Sequence, residues 1–269
     1  MKNIFKKALS FFLAVIMPVG MFPVTAMAEE QYVYFSISLD DKFLEGSDGT
    51  VMAHVPVAVS ELENIKLSDY KGKWVVLFSH PGDFTPVCTT EFIAFAKADT
   101  YFRNLNTCLI GLSIDSNPSH LAWMHDIYLR TGIKIPFPVI ADRSGEIARK
   151  YGMISNDIST TKTVRNVFII DDKGIVRTIL VYPLNVGRFI PEIIRIIQAL
   201  QISDCNNAAT AGNWMPGNPL VETAPQTFLE LQERVKNINQ NRNGIGWYLS
   251  FKDSTEKCEN QVKLENEKG

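Results

Sequence analysis

From residue 74 onward the chain alternates short β-branched apolar runs with longer amphipathic stretches, and this alternation restricts the fold more than any other feature. Trp74-Val75-Val76-Leu77-Phe78-Ser79 reads as a buried strand, Thr90 to Arg103 as a helix, Cys108 to Asp115 as a second strand and Pro118 to Arg130 as a second helix. In the second helix Pro118 suits the first turn, and Leu121, Met124, Ile127 and Tyr128 recur at helical spacing. Ser144 to Tyr151 predicts a short helix ended by Gly152. Val164 to Asp171 and Ile175 to Tyr182 flank the turn sequence Asp172-Lys173-Gly174, which makes them an antiparallel hairpin. Phe189 to Leu200 then closes the unit as an apolar helix. The implied architecture is α/β: a mixed sheet sandwiched by helices, about 130 residues long. After Gln201 the composition changes. Asn, Gly and Pro cluster between Asp204 and Pro225, a polar helical stretch follows from Gln226 to Asn239, and the end is rich in Lys, Glu and Asn. Such a segment reads as an extended arm or small second domain that packs on a partner subunit rather than folding alone. No internal repeat is present.

Ahead of this unit the first 28 residues read as an export signal. Lys2, Lys6 and Lys7 form a basic start, Ala8 to Val19 an apolar core, and Thr25-Ala26-Met27-Ala28 a small-residue cleavage site. Pro18, Gly20 and Pro23 interrupt the apolar run, leaving it shorter than a membrane-spanning helix requires. The expected organisation is a signal peptide (1–28), a catalytic domain (29–202) and a C-terminal dimerisation arm (203–269), with the mature protein exported and not inserted in a membrane. The segment 31–62 receives no role. With 27 basic and 29 acidic residues the chain carries a net charge of −2; loss of the three N-terminal lysines leaves 24 against 29, a net −5. That balance lacks the basic excess that nucleic-acid binding requires.

The four cysteines, Cys88, Cys108, Cys205 and Cys258, are too dispersed for a disulfide scaffold, and none forms a C-x-x-C pair. Cys88 differs from the others because Pro81-Gly82-Asp83-Phe84-Thr85-Pro86-Val87-Cys88 leads from a strand into a helix. A sulfur anion there meets unpaired backbone N–H groups and the positive end of the helix dipole, both of which favour negative charge. The alternative reading, a buried structural cysteine, fits less well with a flank of Pro, Gly, Asp and Thr. No metal site is expected, since the closest histidine spacing is His120 to His125, and no Gly-rich phosphate loop suggests a nucleotide cofactor. Trp123, Phe92, Phe95 and Phe102 read as core residues.

The pattern Pro81-x-x-x-Thr85-x-x-Cys88, continued by Thr89-Thr90-Glu91-Phe92, resembles the peroxiredoxin family. The subgroup resembled is that of the 1-Cys and archaeal-type thioredoxin peroxidases. Further similar segments are Leu67-Ser68-Asp69-Tyr70-Lys71-Gly72-Lys73, Gly111-Leu112-Ser113-Ile114-Asp115-Ser116, His120-Leu121-Ala122-Trp123, Val164-Arg165-Asn166-Val167-Phe168, and Tyr182-Pro183 through Gly187-Arg188. The resemblance implies a thioredoxin-like fold and a thiol-dependent peroxidase acting on hydrogen peroxide and small organic hydroperoxides. It makes Cys88 the peroxidatic cysteine, which becomes a sulfenic acid. Thr85 then binds the peroxide, Pro81 shields the sulfenate, Arg165 stabilises charge at the sulfur, and the N–H groups of Val87 and Cys88 complete an anion cradle. His80 and Glu91 are secondary candidates for tuning protonation or holding Arg165. The partners implied are a thiol reductant, either a thioredoxin-like protein or a small thiol, and a second copy of the chain in a homodimer or a ring of dimers.

Resolution of the sulfenic acid is where the sequence departs from its relatives. Cys108 opens a strand and reads as an inert buried residue. In the aromatic run Gly246-Trp247-Tyr248-Leu249-Ser250-Phe251, Ser250 stands where archaeal-type relatives carry a cysteine. Cys258 and Cys205 remain as resolving candidates; if neither reaches Cys88, an external thiol must act. A competing function is an oligomeric holdase or structural assembly with a vestigial thiol.

Overall fold

Six consecutive residues of Trp74–Ser79 (β1) are buried, as expected for a strand covered on both faces. The computed structural model describes residues 65–154, 161–241 and 243–254. β1 pairs in parallel with Thr107–Ser113 (β2), which pairs in parallel with Val139–Ala141 (β3). On its other side β1 runs antiparallel to Arg165–Ile170 (β4), which runs antiparallel to Val176–Tyr182 (β5), giving the order β3-β2-β1-β4-β5. The β4–β5 hairpin forms where Asp172-Lys173-Gly174 predicts it, with Gly174 at φ 82°. Strand β3, framed by Pro136 and Pro138, escapes sequence analysis because three residues carry no readable period.

The pleat of β1 splits its side chains between two cores. Val76 and Phe78 face Phe92, Phe95 and Phe102 of helix Pro86–Asn104 (α1), Trp123 of helix Asn117–Thr131 (α2), and Ile193 and Ile197 of helix Ile190–Asn206 (α4). Val75 and Leu77 face Ile110, Leu112, Phe168 and Met153, with Ala148 of the short helix Glu146–Lys150 (α3). The sheet is therefore mixed and sandwiched, with the four predicted aromatic side chains in its core. Two helix limits depart furthest from the sequence reading. α1 starts at Pro86 rather than Thr90, because proline suits the first helical position, and α4 runs on to Asn206. Cys205 consequently lies in the last turn of α4 rather than beyond the helix. Cys108, second residue of β2 and ahead of the Gly111–Ser113 stretch that β3 flanks, is only partly buried, not the enclosed residue expected; the burial it has pushes its thiol up.

The arm has regular structure of its own. Strands Ala209–Thr210 (β6), Leu220–Val221 (β7), Gly244–Gly246 (β8) and Leu249–Lys252 (β9) form a second sheet, ordered β6-β7-β9-β8, beside helix Phe228–Asn241 (α5). Ala208, Trp214 and Leu220 pack with Ala199 and Ile202 of α4, so the arm shares a small core with the end of the catalytic unit. Among the described residues no helix is long and apolar enough to cross a membrane. The expected export signal and residues 31–62 lie outside the described residues.

Candidate active site

Cys88 is the third residue of α1 and has no exposed surface. Thr85 is the N-cap residue, Pro86 occupies the first helical position, and the first-turn N–H groups, including those of Val87 and Cys88, have no intrahelical acceptor. Thr85 does not cap the helix with its side chain: its Oγ1 donates to the Gly82 carbonyl at 2.8 Å, and its own carbonyl accepts from Thr89 N and Oγ1. Pro81 and Thr85 line the same loop and are partly buried, while Phe84, held at φ 55°, points outward. Val87 meets the loop after β5, where Gly187 lies so close that an added Cβ would sit 3.6 Å from Val87 Cγ1.

Helical spacing puts Glu91 on the same face of α1 as Cys88, one turn further on. Arg165 opens β4, antiparallel to β1, and this brings its guanidinium under that face. Its Nη1 donates to Cys88 Sγ at 3.3 Å and to Glu91 Oε2 at 2.7 Å. Its Nε and Nη2 donate to the Leu184 carbonyl at 3.0 and 2.8 Å, which fixes the plane of the group. A second cation, Arg188, completes the cluster: Nη2 donates to Glu91 Oε2 at 2.7 Å, and Nε and the backbone N donate to Oε1 at 2.9 Å each. Its Nη1 reaches the carbonyls of Ser79 and Asn166, and its guanidinium lies over the rings of Phe78 and Phe95 at 5.0 and 5.4 Å. Burial pulls Arg188 below the usual guanidinium range, against the pull of Glu91.

Charge balance explains what such a site favours. Two buried guanidiniums surround one carboxylate, so one positive charge stays uncompensated until the neighbouring sulfur carries a negative one. The structure thus brings together Cys88, Thr85, Val87, Pro81, Arg165 and Glu91, and adds Arg188. Sequence analysis placed Arg188 only inside a family-like segment, because its contacts with Glu91 span 97 residues.

His80 belongs to a second buried cluster on the same loop. Asp83 lies between His80 Nε2 (2.9 Å) and His120 Nδ1 (2.8 Å), with side-chain exposures of 2%, 0% and 1% respectively. Burial alone would raise the Asp83 carboxyl, but the hydrogen bonds from His120 and His80 outweigh it and hold the group well below the usual carboxylate range. Burial likewise pulls His80 below the ordinary imidazole value, against the attraction of Asp83. With Asp83 ionised, the ring nitrogens facing it donate, and His80 Nδ1 and His120 Nε2, on the far edges, have no hydrogen-bond partner. The three side chains each offer one atom able to ligate a metal, all within 4.8 Å of one another, a grouping that histidine spacing in the sequence does not reveal. Asp83 also ties the loop to the N-terminal side of α2, since its backbone N donates to Asp115 Oδ2 at 3.0 Å.

Of the resolving candidates, Cys205 is disulfide-bonded, while Cys88 and Cys108 are free thiols. Cys258 lies outside the described residues. Ser250 is buried in β9, where its hydroxyl donates to Glu222 Oε2 at 2.6 Å and accepts from Arg234 Nη1 at 2.8 Å.

Fold and site together define an α/β protein with a nucleophilic thiol set at a helix start beneath a fixed guanidinium. Residues 51–179 match the AhpC/TSA family. The chain is 58% identical over 188 residues to "Peroxiredoxin 2" of Caldanaerobacter subterraneus subsp. tengcongensis, covering 70% of this chain and 85% of that protein. It is 50% identical over 193 residues to the peroxiredoxin of Aquifex aeolicus, covering 68% and 86% of the two chains. A mutant of peroxiredoxin 6 of Arenicola marina superposes with a TM-score of 0.62 at 31% identity, covering 71% of this chain and 91% of that one. Yeast mitochondrial 1-Cys peroxiredoxin gives 0.60 at 37% identity, over 70% and 89%. The chain belongs to the peroxiredoxin family and is a thiol-dependent peroxidase with a thioredoxin-like fold.

Proposed function

We propose that the protein reduces hydrogen peroxide and small organic hydroperoxides by direct attack of Cys88. The observation that carries this reading is the 3.3 Å contact between Arg165 Nη1 and Cys88 Sγ, made by a guanidinium whose Nη1 also donates to Glu91 and whose Nε and Nη2 are held by the Leu184 carbonyl. The Cys88 thiolate attacks one peroxide oxygen, forms an S–O bond and breaks the O–O bond. The product is Cys88 sulfenic acid, and the expelled hydroxide or alkoxide takes up a proton to leave as water or alcohol. Charge moves from sulfur to the departing oxygen during this step, and Arg165 together with the Val87 and Cys88 N–H groups lies where that charge develops. The Thr85 hydroxyl, whose proton points to Gly82, offers its lone pairs to the peroxide O–H. Pro81 limits water access to the sulfenic acid. Glu91, itself held by Arg188, holds Arg165, and His80 is buried beside the loop against Asp83.

The cycle needs a thiol from outside the active site, a thioredoxin-like protein or a small thiol; the yeast relative is described as resolving through glutathione/thioredoxin systems. Export is supported by the basic-apolar-small pattern of residues 1–28. A homodimer is supported by apolar side chains exposed on the arm, Phe228, Leu229, Ile245, Trp247 and Tyr248, and by the open edge of β5 with Ile179 and Val181. The test is steady-state peroxide consumption with saturating dithiol. Wild type turns over and Cys88→Ser does not; turnover retained in Cys88→Ser disproves the assignment.

A further inference from the structure

Between Asp83 and Thr85 the loop turns through Phe84 at φ 55°, in the left-handed region that a phenylalanine adopts only at a cost. Such a bend persists where contacts on both sides hold it. On the Thr85 side the holding contacts are local, to Gly82 and Thr89. On the Asp83 side they come from elsewhere in the chain. Asp83 N donates at 3.0 Å to Asp115 Oδ2, which the Ser113 hydroxyl pins at 2.8 Å. The Asp83 carboxylate accepts from His120 Nδ1, at 2.8 Å to one oxygen and 3.0 Å to the other. Ser119 of the same helix adds a further hydrogen bond to it, and His80 bonds it from the end of β1. We propose that His120 is a positioning residue for the peroxide reaction: through Asp83 it fixes the bend at Phe84, and thereby the place of the Thr85 hydroxyl beside Cys88.

This inference rests on the peroxidase reading given above, in which Thr85 receives the peroxide O–H. His120 is suited to the task by its rigidity. It is the fourth residue of α2 and is buried, and Trp123, Met124 and Ile127 set that helix into the core. Its Nε2 has no hydrogen-bond partner, so the ring's bonding is directed at Asp83. Next on the same face of α2, Trp123 Nε1 donates at 3.2 Å to Thr89 Oγ1, which donates in turn to the Thr85 carbonyl at 2.8 Å. The helix therefore grips the loop on both sides of Phe84. Neither chain of contacts passes through Arg165 or Glu91. Loosening the loop thus displaces Thr85 and leaves the cation at the sulfur in place, and a shift of about 1 Å in a positioned group costs about 10²-fold in rate.

The test measures two rates on the reduced full chain: Cys88 with hydrogen peroxide by stopped flow, and Cys88 with iodoacetamide, which has no use for the Thr85 hydroxyl. His120→Leu slows the peroxide reaction by about 10–100-fold and leaves alkylation within about twofold of wild type. His120→Asn, whose side-chain amide restores a donor close to the Nδ1 position, brings the peroxide rate back to within about threefold of wild type. Because His120 acts through Thr85, adding His120→Leu to Thr85→Val slows that variant by no more than about twofold. Asp83→Asn keeps the shape of the side chain, turns an N–H toward one imidazole and gives the same split between the two rates; it takes the place of His120→Leu if that variant does not fold. The proposal is overturned if the peroxide rate of His120→Leu stays near wild type, if both rates fall by the same factor, or if the losses from Thr85→Val and His120→Leu multiply. A wild type that meets peroxide no faster than a free cysteine overturns the peroxidase reading and this inference with it, whereas a fast wild type beside an unresponsive His120→Leu overturns this inference alone.

Discussion

Replacing Glu91 by glutamine tests the charge arrangement most severely. Its carboxylate accepts four hydrogen bonds, from Arg165 Nη1 at 2.7 Å and from Arg188 Nη2, Nε and N at 2.7, 2.9 and 2.9 Å. Glutamine keeps one acceptor oxygen but turns an amide donor toward a guanidinium donor, and it removes the one anion between two buried cations. Charge-assisted bonds contribute about 1.5–3 kcal/mol each, and their sum overstates the loss because they share one carboxylate. Breaking a buried pair by removing one partner costs about 3–5 kcal/mol, and that is the expected destabilisation. At a urea dependence of about 3 kcal/mol/M the unfolding midpoint falls by about 1–1.7 M. Loss of the held donor at the reacting oxygen slows the peroxide reaction by roughly 10²–10³-fold. Urea unfolding followed by tryptophan fluorescence and single-turnover peroxide consumption measure the two effects. A midpoint within about 0.3 M of wild type, together with an unchanged rate, would refute the reasoning.

Three further outcomes follow from named contacts. Arg165→Lys keeps the charge but cannot bond Cys88, Glu91 and Leu184 from one plane, so the rate with hydrogen peroxide falls at least about tenfold, as stopped-flow measurement will show. Stability falls with acid in two stages. His80 is depressed, so the unfolded chain binds its proton first and stability declines as pH drops below about 6.5; Asp83 is depressed too, so its contribution, present above about pH 4, is lost as pH falls toward its folded value. Asp83→Asn removes the second stage, which thermal unfolding across acid pH will reveal as a flatter profile. Ser250→Ala leaves Glu222 and Arg234 without their shared hydroxyl and lowers stability by about 1–3 kcal/mol without changing the rate of Cys88 with peroxide, measured by denaturation and single turnover.

The sequence made legible what depends on neighbours along the chain. Val76 and Phe78 alternate with Val75 and Leu77, the turn Asp172-Lys173-Gly174 joins two apolar runs, and Pro86-Val87-Cys88 opens a helix; each is local, and each forms. Cys88 and Arg165 were marked because their flanking residues are specific. What escaped depends on tertiary contact. Arg188 meets Glu91 across 97 residues, and Asp83 meets His120 across 37. No periodicity announces strands of two to four residues such as β3, β6 and β7. The covalent state of Cys205 was hidden because spacing alone does not disclose which sulfurs meet.

Exposure and electrostatics make opposite claims about which thiol reacts, and one competition experiment separates them. Cys88 has no accessible surface whereas Cys108 is partly exposed, yet only Cys88 lies against Arg165 at a helix start. Treat the reduced full chain with substoichiometric hydrogen peroxide, trap sulfenic acids and locate them. The account requires the trapped product at Cys88 with Cys108 untouched; oxidation of Cys108 at an equal or greater rate contradicts it.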